Sequence, residues 1–158
     1  MMIIAMLLAA LAQDQVDSPE YKGWASFKPG SSVTYKYSPQ EGGQKITLKS
    51  VGESEVVIET EIIYNGKPAG KAIERKIPAK IAAADAPKDV KRGEEEIEVG
   101  GKKLKCRTVE FERKLASGKT IAMKIWANDE IPGTGAQVQT LSEGGGKFSM
   151  IASEWEKK

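Results

Sequence analysis

The stretch Glu94-Glu95-Glu96-Ile97-Glu98-Val99-Gly100-Gly101-Lys102-Lys103-Leu104-Lys105-Cys106 places two glycines between two segments that alternate in polarity. With Gly100-Gly101 as a two-residue turn, Val99 faces Lys102, Glu98 faces Lys103, Ile97 faces Leu104 and Glu96 faces Lys105. Opposite charges then meet on one side and apolar groups on the other. Turn chemistry, charge and hydrophobic pattern thus select one register, that of an antiparallel hairpin. The Glu94-Glu95-Glu96 run reads as a solvated, cross-strand-paired face and not as a metal site, because no histidine and no spaced Asp and Gly pattern of a calcium loop accompanies it.

The same alternation extends outward in both directions, and helical periodicity is nearly absent. On the C-terminal side, Leu104 and Cys106 share one phase while Val109 and Phe111 share the other, so a β-bulge near Arg107-Thr108 is expected. The turn Ala116-Ser117-Gly118 then sets Phe111 opposite Met123 and Val109 opposite Ile125. A last hairpin around Glu143-Gly144-Gly145 pairs Val138 with Met150 and Thr140 with Phe148.

On the N-terminal side, Val33, Tyr35 and Tyr37 turn through SPQEGG into Ile46 and Leu48. Val56, Ile58, Thr60 and Ile62 precede the hairpin signal Asn65-Gly66, and a strand centred on Ile73, Arg75 and Ile77 ends at Pro78. The alanine-rich segment 79–93 is the one helix candidate of the mature chain. The fold class is mainly β: a curved antiparallel meander of roughly nine strands, a half-barrel or open barrel, with at most one short helix. The curvature follows because flat sheets of that width are disfavoured.

The first twelve residues, MMIIAMLLAALA, are apolar, carry no charged side chain and end in Ala10-Leu11-Ala12. This reads as a signal peptide cleaved after Ala12, and the alternative is a short buried helix. The run is too short to cross a bilayer, for which about 20 apolar residues are needed, so no transmembrane segment is expected in the mature chain. The expected organisation is a signal peptide at 1–12, an entry segment at 13–31 and one β domain at 32–158. The expected location is secreted or periplasmic.

Composition excludes much chemistry. The chain has no histidine and one cysteine, Cys106, which removes histidine-based nucleophile pairs, thiolate metal clusters and any intrachain disulfide. The glycine clusters sit in hairpin turns and do not open helices, so no phosphate-binding loop is present. A net charge of +2 gives no overall footprint for nucleic acid. Glu59 with Glu61, and Glu110 with Glu112, share strand faces as an acid and base pair would, but such pairs are ordinarily the wet side of a strand. No catalytic residue, metal or cofactor is expected. Cys106 shares the face of Leu104 and is expected to be buried; an intermolecular disulfide is the alternative.

The segments WASFKPGSSVTYKY (24–37), VGGKKLKC (99–106) and KIWANDEIPG (124–133) resemble secreted bacterial β-rich proteins of uncharacterised function, which are distantly similar to lipoprotein-carrier half-barrels of the LolA and LolB type. The resemblance implies a curved sheet enclosing an apolar concavity, and it supplies no catalytic residues. The function expected is a binding protein that holds a lipid-like ligand or client segment on an apolar face lined by Tyr35, Tyr37, Leu48, Ile58, Ile97, Leu104, Met123 and Ile125. Trp126, Ile131 and Pro132 form either the rim of that groove or a partner contact, unless the corner that follows Trp126 folds over and covers it. The alternative function is a structural or protein-interaction module of the envelope, closed on its own side chains.

Overall fold

The computed structural model describes residues 14–142 and 144–158. The expected signal peptide at 1–12 therefore lies outside the described residues. Strand β1 (Gln15–Asp17) leads into helix α1 (Pro19–Ala25), and the chain continues as β2 (Ser32–Ser38), β3 (Gly43–Val51), β4 (Glu55–Tyr64), β5 (Lys67–Pro68), β6 (Ile73–Pro78) and β7 (Lys80–Ala82). After a single 3-10 turn at Ala83–Asp85 come β8 (Lys88–Val99), β9 (Lys102–Lys114), β10 (Thr120–Ala127), β11 (Gln137–Ser142) and β12 (Lys147–Glu156).

Ten of the strands make one antiparallel sheet in the order β5-β4-β3-β2-β12-β11-β10-β9-β8, with β6 paired to β4 on the same side as β5. The sheet is curved and not closed. The order departs from a plain meander in one respect. Two runs of hairpins, β2 to β6 and β8 to β12, are joined where β12 pairs with β2, through Met150 with Tyr37, Ala152 with Tyr35 and Trp155 with Val33. The meander is thus opened between β6 and β8, and the segment linking them pairs instead with the N-terminal strand, Val16 opposite Ile81.

The local registers follow the hydrophobic and charge patterns. Val99 lies opposite Lys102, Glu98 opposite Lys103, Ile97 opposite Leu104 and Glu96 opposite Lys105. Phe111 faces Met123, Val109 faces Ile125, Val138 faces Met150 and Thr140 faces Phe148.

Two expectations are corrected. The pairing of β9 with both neighbours runs without a shift through Arg107 and Thr108, so the bulge expected there is absent. The two apolar stripes of β9 instead occupy opposite faces. Beyond Ala127, where β10 ends opposite Arg107, the β8–β9 hairpin is a two-stranded ribbon. Ribbons twist more strongly than wide sheets, and this one rolls its Val99, Leu104 and Cys106 face onto the core.

The helix is also placed differently. Segment 79–93 forms β7, one 3-10 turn and the start of β8, while the only α-helix among the described residues is α1. Ser18 caps it by accepting from the Tyr21 backbone N–H at 3.2 Å, Pro19 opens it, and Glu20 sits in its first turn. Its apolar payload is Trp24, 1% exposed. Tyr21 donates to the Gly52 carbonyl at 2.6 Å, and Glu20 pairs with Arg75, so α1 is tied to the β3–β4 turn and to β6.

Candidate functional site

The core face of the sheet carries Val56, Ile58 and Ile62 on β4, Ile46 and Leu48 on β3, and Val33, Tyr35 and Tyr37 on β2. It continues through Met150 and Ala152 on β12, Val138 on β11, Met123 and Ile125 on β10, and Val109 and Phe111 on β9. Residues directly opposite in antiparallel pairs share a face, and the registers connect all of these.

One end of this face is covered. Trp24 from α1 and Ile131 from the corner after β10 pack into a single cluster with Val33, Tyr35, Leu48, Val56 and Ile58, and the adjoining Pro132 is fully buried. The corner is held tightly. The Gly133 backbone N–H donates to the Gly23 carbonyl at 3.0 Å, and the Tyr35 hydroxyl donates to the Gly135 carbonyl at 2.7 Å. Gly133 has φ +92, and a Cβ there would lie 2.5 Å from the Trp24 ring, so both the turn and the contact require glycine. Burial pushes the Tyr35 hydroxyl far above its ordinary pKa, which keeps it a neutral donor.

The other end is open. Along β4 the exposure of successive core-face residues rises from 1% at Ile58 to 42% at Ile62 and 52% at Tyr64. Across the sheet at the same level lie Tyr37, Phe148, Met150, Met123 and Phe111, all half-buried. Tyr37 and Phe148 pack with ring centroids 5.3 Å apart. The Tyr37 hydroxyl donates to Gln44 Oε1 at 3.0 Å, and Gln44 Nε2 approaches Met150 Sδ at 3.5 Å. The result is a largely apolar stripe across seven strands, interrupted by Gln44 on β3 and Thr140 on β11.

The expected lining residues therefore divide. Tyr35, Leu48, Ile58 and Leu104 are core residues buried at the covered end or under the β8–β9 ribbon. Tyr37, Met123 and Ile125 lie on the open stripe or at its border. Ile97 sits beside Leu104 on the other face of β8 and β9, half-buried against the core cluster. Trp126, Ile131 and Pro132 do not form a rim. The corner folds inward and buries Ile131 to 2% exposure and Pro132 with it, while Trp126, on the opposite face and bonded to Glu95, is 6% exposed. Phe111, Phe148, Met150, Ile62 and Tyr64 also belong to the open stripe; alternation puts them on this face, but they are not among the expected lining residues.

Trp126 anchors a polar cluster on the face opposite the stripe. Its indole Nε1–H donates to Glu95 Oε2 at 2.7 Å, and Lys124 Nζ lies 2.6 Å from Glu95 Oε1 and 3.8 Å from Glu110. Lys124 also sits 4.7 Å from the Trp126 ring centre. The Lys124 ammonium foremost, and then the indole donor, hold the Glu95 carboxyl below its usual range. Glu95 thus belongs to the face of Cys106, while Glu94 and Glu96 lie opposite Arg107 and Lys105 on the other face. Cys106 is buried, and burial pushes its thiol pKa up, leaving it a neutral packing group.

A depression of about 250 Å³ lined by Ser32, Thr34, Lys45, Glu154, Trp155 and Glu156 is polar and lies on the side of β2 away from Tyr35. Among the described residues, no group of three or more His, Cys, Asp or Glu side chains is placed to hold a metal, and no helix is long and apolar enough to cross a membrane. No protein-family model matches the chain, and no curated protein or solved structure is significantly similar to it.

Proposed function

We propose that this chain is a secreted or periplasmic, non-catalytic binding protein that holds a lipid-like ligand on the open half of its core face. The observation that carries this reading is the gradient along one face, from Ile58 at 1% exposure to Ile62 at 42% and Tyr64 at 52%, continued sideways by half-buried aromatic and thioether side chains. A continuous apolar patch rimmed by polar residues is a recurrent mark of a binding surface. Met123 and Met150 suit a flexible acyl chain, because an unbranched thioether adapts its shape at little cost. The apolar concavity implied by the resemblance of segments 24–37, 99–106 and 124–133 to secreted β-rich proteins agrees with this reading, and the apolar run ending in Ala10-Leu11-Ala12 supports export.

The test is native mass spectrometry of the protein purified without detergent, with organic extraction of whatever accompanies it, followed by titration with a fluorescent fatty acid. Saturable binding that Met123→Glu and Phe148→Glu abolish is expected. A clean apo mass that stays unchanged after exposure to lipid overturns the reading.

The second reading is a closed interaction module of the envelope. It is favoured by the filling of the other end of the face with Trp24, Ile131 and Pro132. Failure of the lipid titration selects it.

A further inference from the structure

Strand β8 is an edge of the large sheet, paired with β9 on one side and with no strand on the other among the described residues. Its register with β9 is unbroken from Val99 opposite Lys102 to Lys91 opposite Glu110. The two-residue turn makes Val99 and Lys102 a hydrogen-bonded pair. Alternation then turns the backbone groups of Ile97, Glu95, Gly93 and Lys91 toward β9. Those of Arg92, Glu94, Glu96 and Glu98 point outward along the open edge.

The side chains of that edge change sign at its middle. Lys91 and Arg92 precede Gly93, and Glu94, Glu95 and Glu96 follow it, all exposed. Charged edges ordinarily repel another strand, but a sign change about a centre is self-complementary under two-fold rotation. An antiparallel pair formed about an axis normal to the sheet keeps the faces matched, so each residue meets one of its own parity. With the axis at Gly93, Arg92 meets Glu94 of the second copy as a hydrogen-bonded pair, and Lys91 meets Glu95. Symmetry repeats both contacts. Moving the axis by one residue sets Glu94 on Glu94 or Arg92 on Arg92, and like charges directly opposite are destabilising.

Two further features fit. Neither Arg92 nor Glu94 has an ion-pair partner within the chain among the described residues. Gly93 also removes the side chains that would otherwise confront each other across the axis, where opposed Cα atoms of a non-hydrogen-bonded pair stand about 4.5 Å apart. The irregularity between Lys88 and Lys91, with Asp89 at φ 54, shifts the register on the N-terminal side and interrupts the regular edge there.

We propose that β8 pairs with β8 of a second copy of this chain, antiparallel and centred on Gly93, to form a two-fold homodimer with a continuous sheet. This inference is independent of the ligand reading. A single strand edge buries less than the roughly 1,000 Å² of a stable interface, so the dimer is weak and concentration-dependent.

Sedimentation equilibrium of the purified chain from about 10 μM to about 1 mM covers the range of such a contact. A monomer–dimer equilibrium that weakens with added salt is expected. Arg92→Glu sets like charges opposite Glu94 twice and should raise the dissociation constant about tenfold or more. The double variant Arg92→Glu with Glu94→Arg restores both pairs and should return to within about threefold of the starting value. Gly93→Cys should form a covalent dimer on mild oxidation, since about 4.5 Å between Cα atoms lies within disulfide range. A monomer throughout the range, or a dimer indifferent to Arg92→Glu, or one that the double variant does not restore, overturns the proposal.

Discussion

The two ends of the core face have the same strands, the same alternation and opposite fates. At the α1 end, Val33, Leu48 and Val56 are 0% exposed, because Trp24 and Ile131 arrive from elsewhere in the chain to cover them. At the open end, Ile62 and Tyr64 continue the identical pattern on β4 and remain 42% and 52% exposed. The difference teaches that a strand's inward face is only a candidate for burial. What buries it is a cover, and here the cover comes from a helix of 7 residues and one corner.

The largest effect that would break this contrast is removal of the cover. Trp24→Ala should cost about 3–5 kcal/mol in urea unfolding, the range for deleting a large aromatic side chain from a core. A loss under about 1 kcal/mol would mean that α1 is not what closes that end. Gly133→Ala comes next. It forces a Cβ into the Trp24 ring at a positive φ, and a loss of about 2–3 kcal/mol is expected in the same assay.

Tyr35→Phe leaves the Gly135 carbonyl without its buried donor while keeping the ring, and should cost about 1–3 kcal/mol. At the open end, Met123→Ser should change stability by less than about 1 kcal/mol, yet weaken fatty-acid binding measured by fluorescence titration. Comparable losses from Tyr35→Phe and Met123→Ser in unfolding would erase the distinction between the two ends.

The smallest effect concerns Glu95. Its folded pKa is lowered, so its contribution is complete at neutral pH and is lost as pH falls below the ordinary value of 4.5 and through the folded value. The difference in urea midpoint between the native chain and Glu95→Gln should therefore be widest near neutrality, narrow on acidification, and shrink in high salt because the carboxylate is exposed.

Much of the β architecture was legible because each hairpin is a local problem. Gly100-Gly101, Asn65-Gly66 and Gly144-Gly145 fix which residues face each other, and the pairs Val99–Lys102, Phe111–Met123 and Val138–Met150 follow by counting. Helix α1 left a trace in Ser18-Pro19-Glu20, a cap with proline and an acid behind it. Seven residues with one large apolar side chain give too short a period for a helical pattern to stand out. The phase change in β9 was visible, but its resolution was not. A bulge and a twisted ribbon both reconcile Cys106 with Val109, and the choice rests on how far β10 extends alongside.

By itself, then, the sequence determined the alternation, the turns, the local registers and the absence of histidine chemistry, since each depends on residues close together in the chain. Tertiary structure alone decided that β12 closes against β2, that the sheet opens between β6 and β8, and that Trp126 is buried on the opposite face with its indole bonded to Glu95. It also decided which half of one apolar face is core and which half is surface. Those outcomes depend on what distant segments cover, and alternation is the same for a side chain that meets another side chain as for one that meets open space.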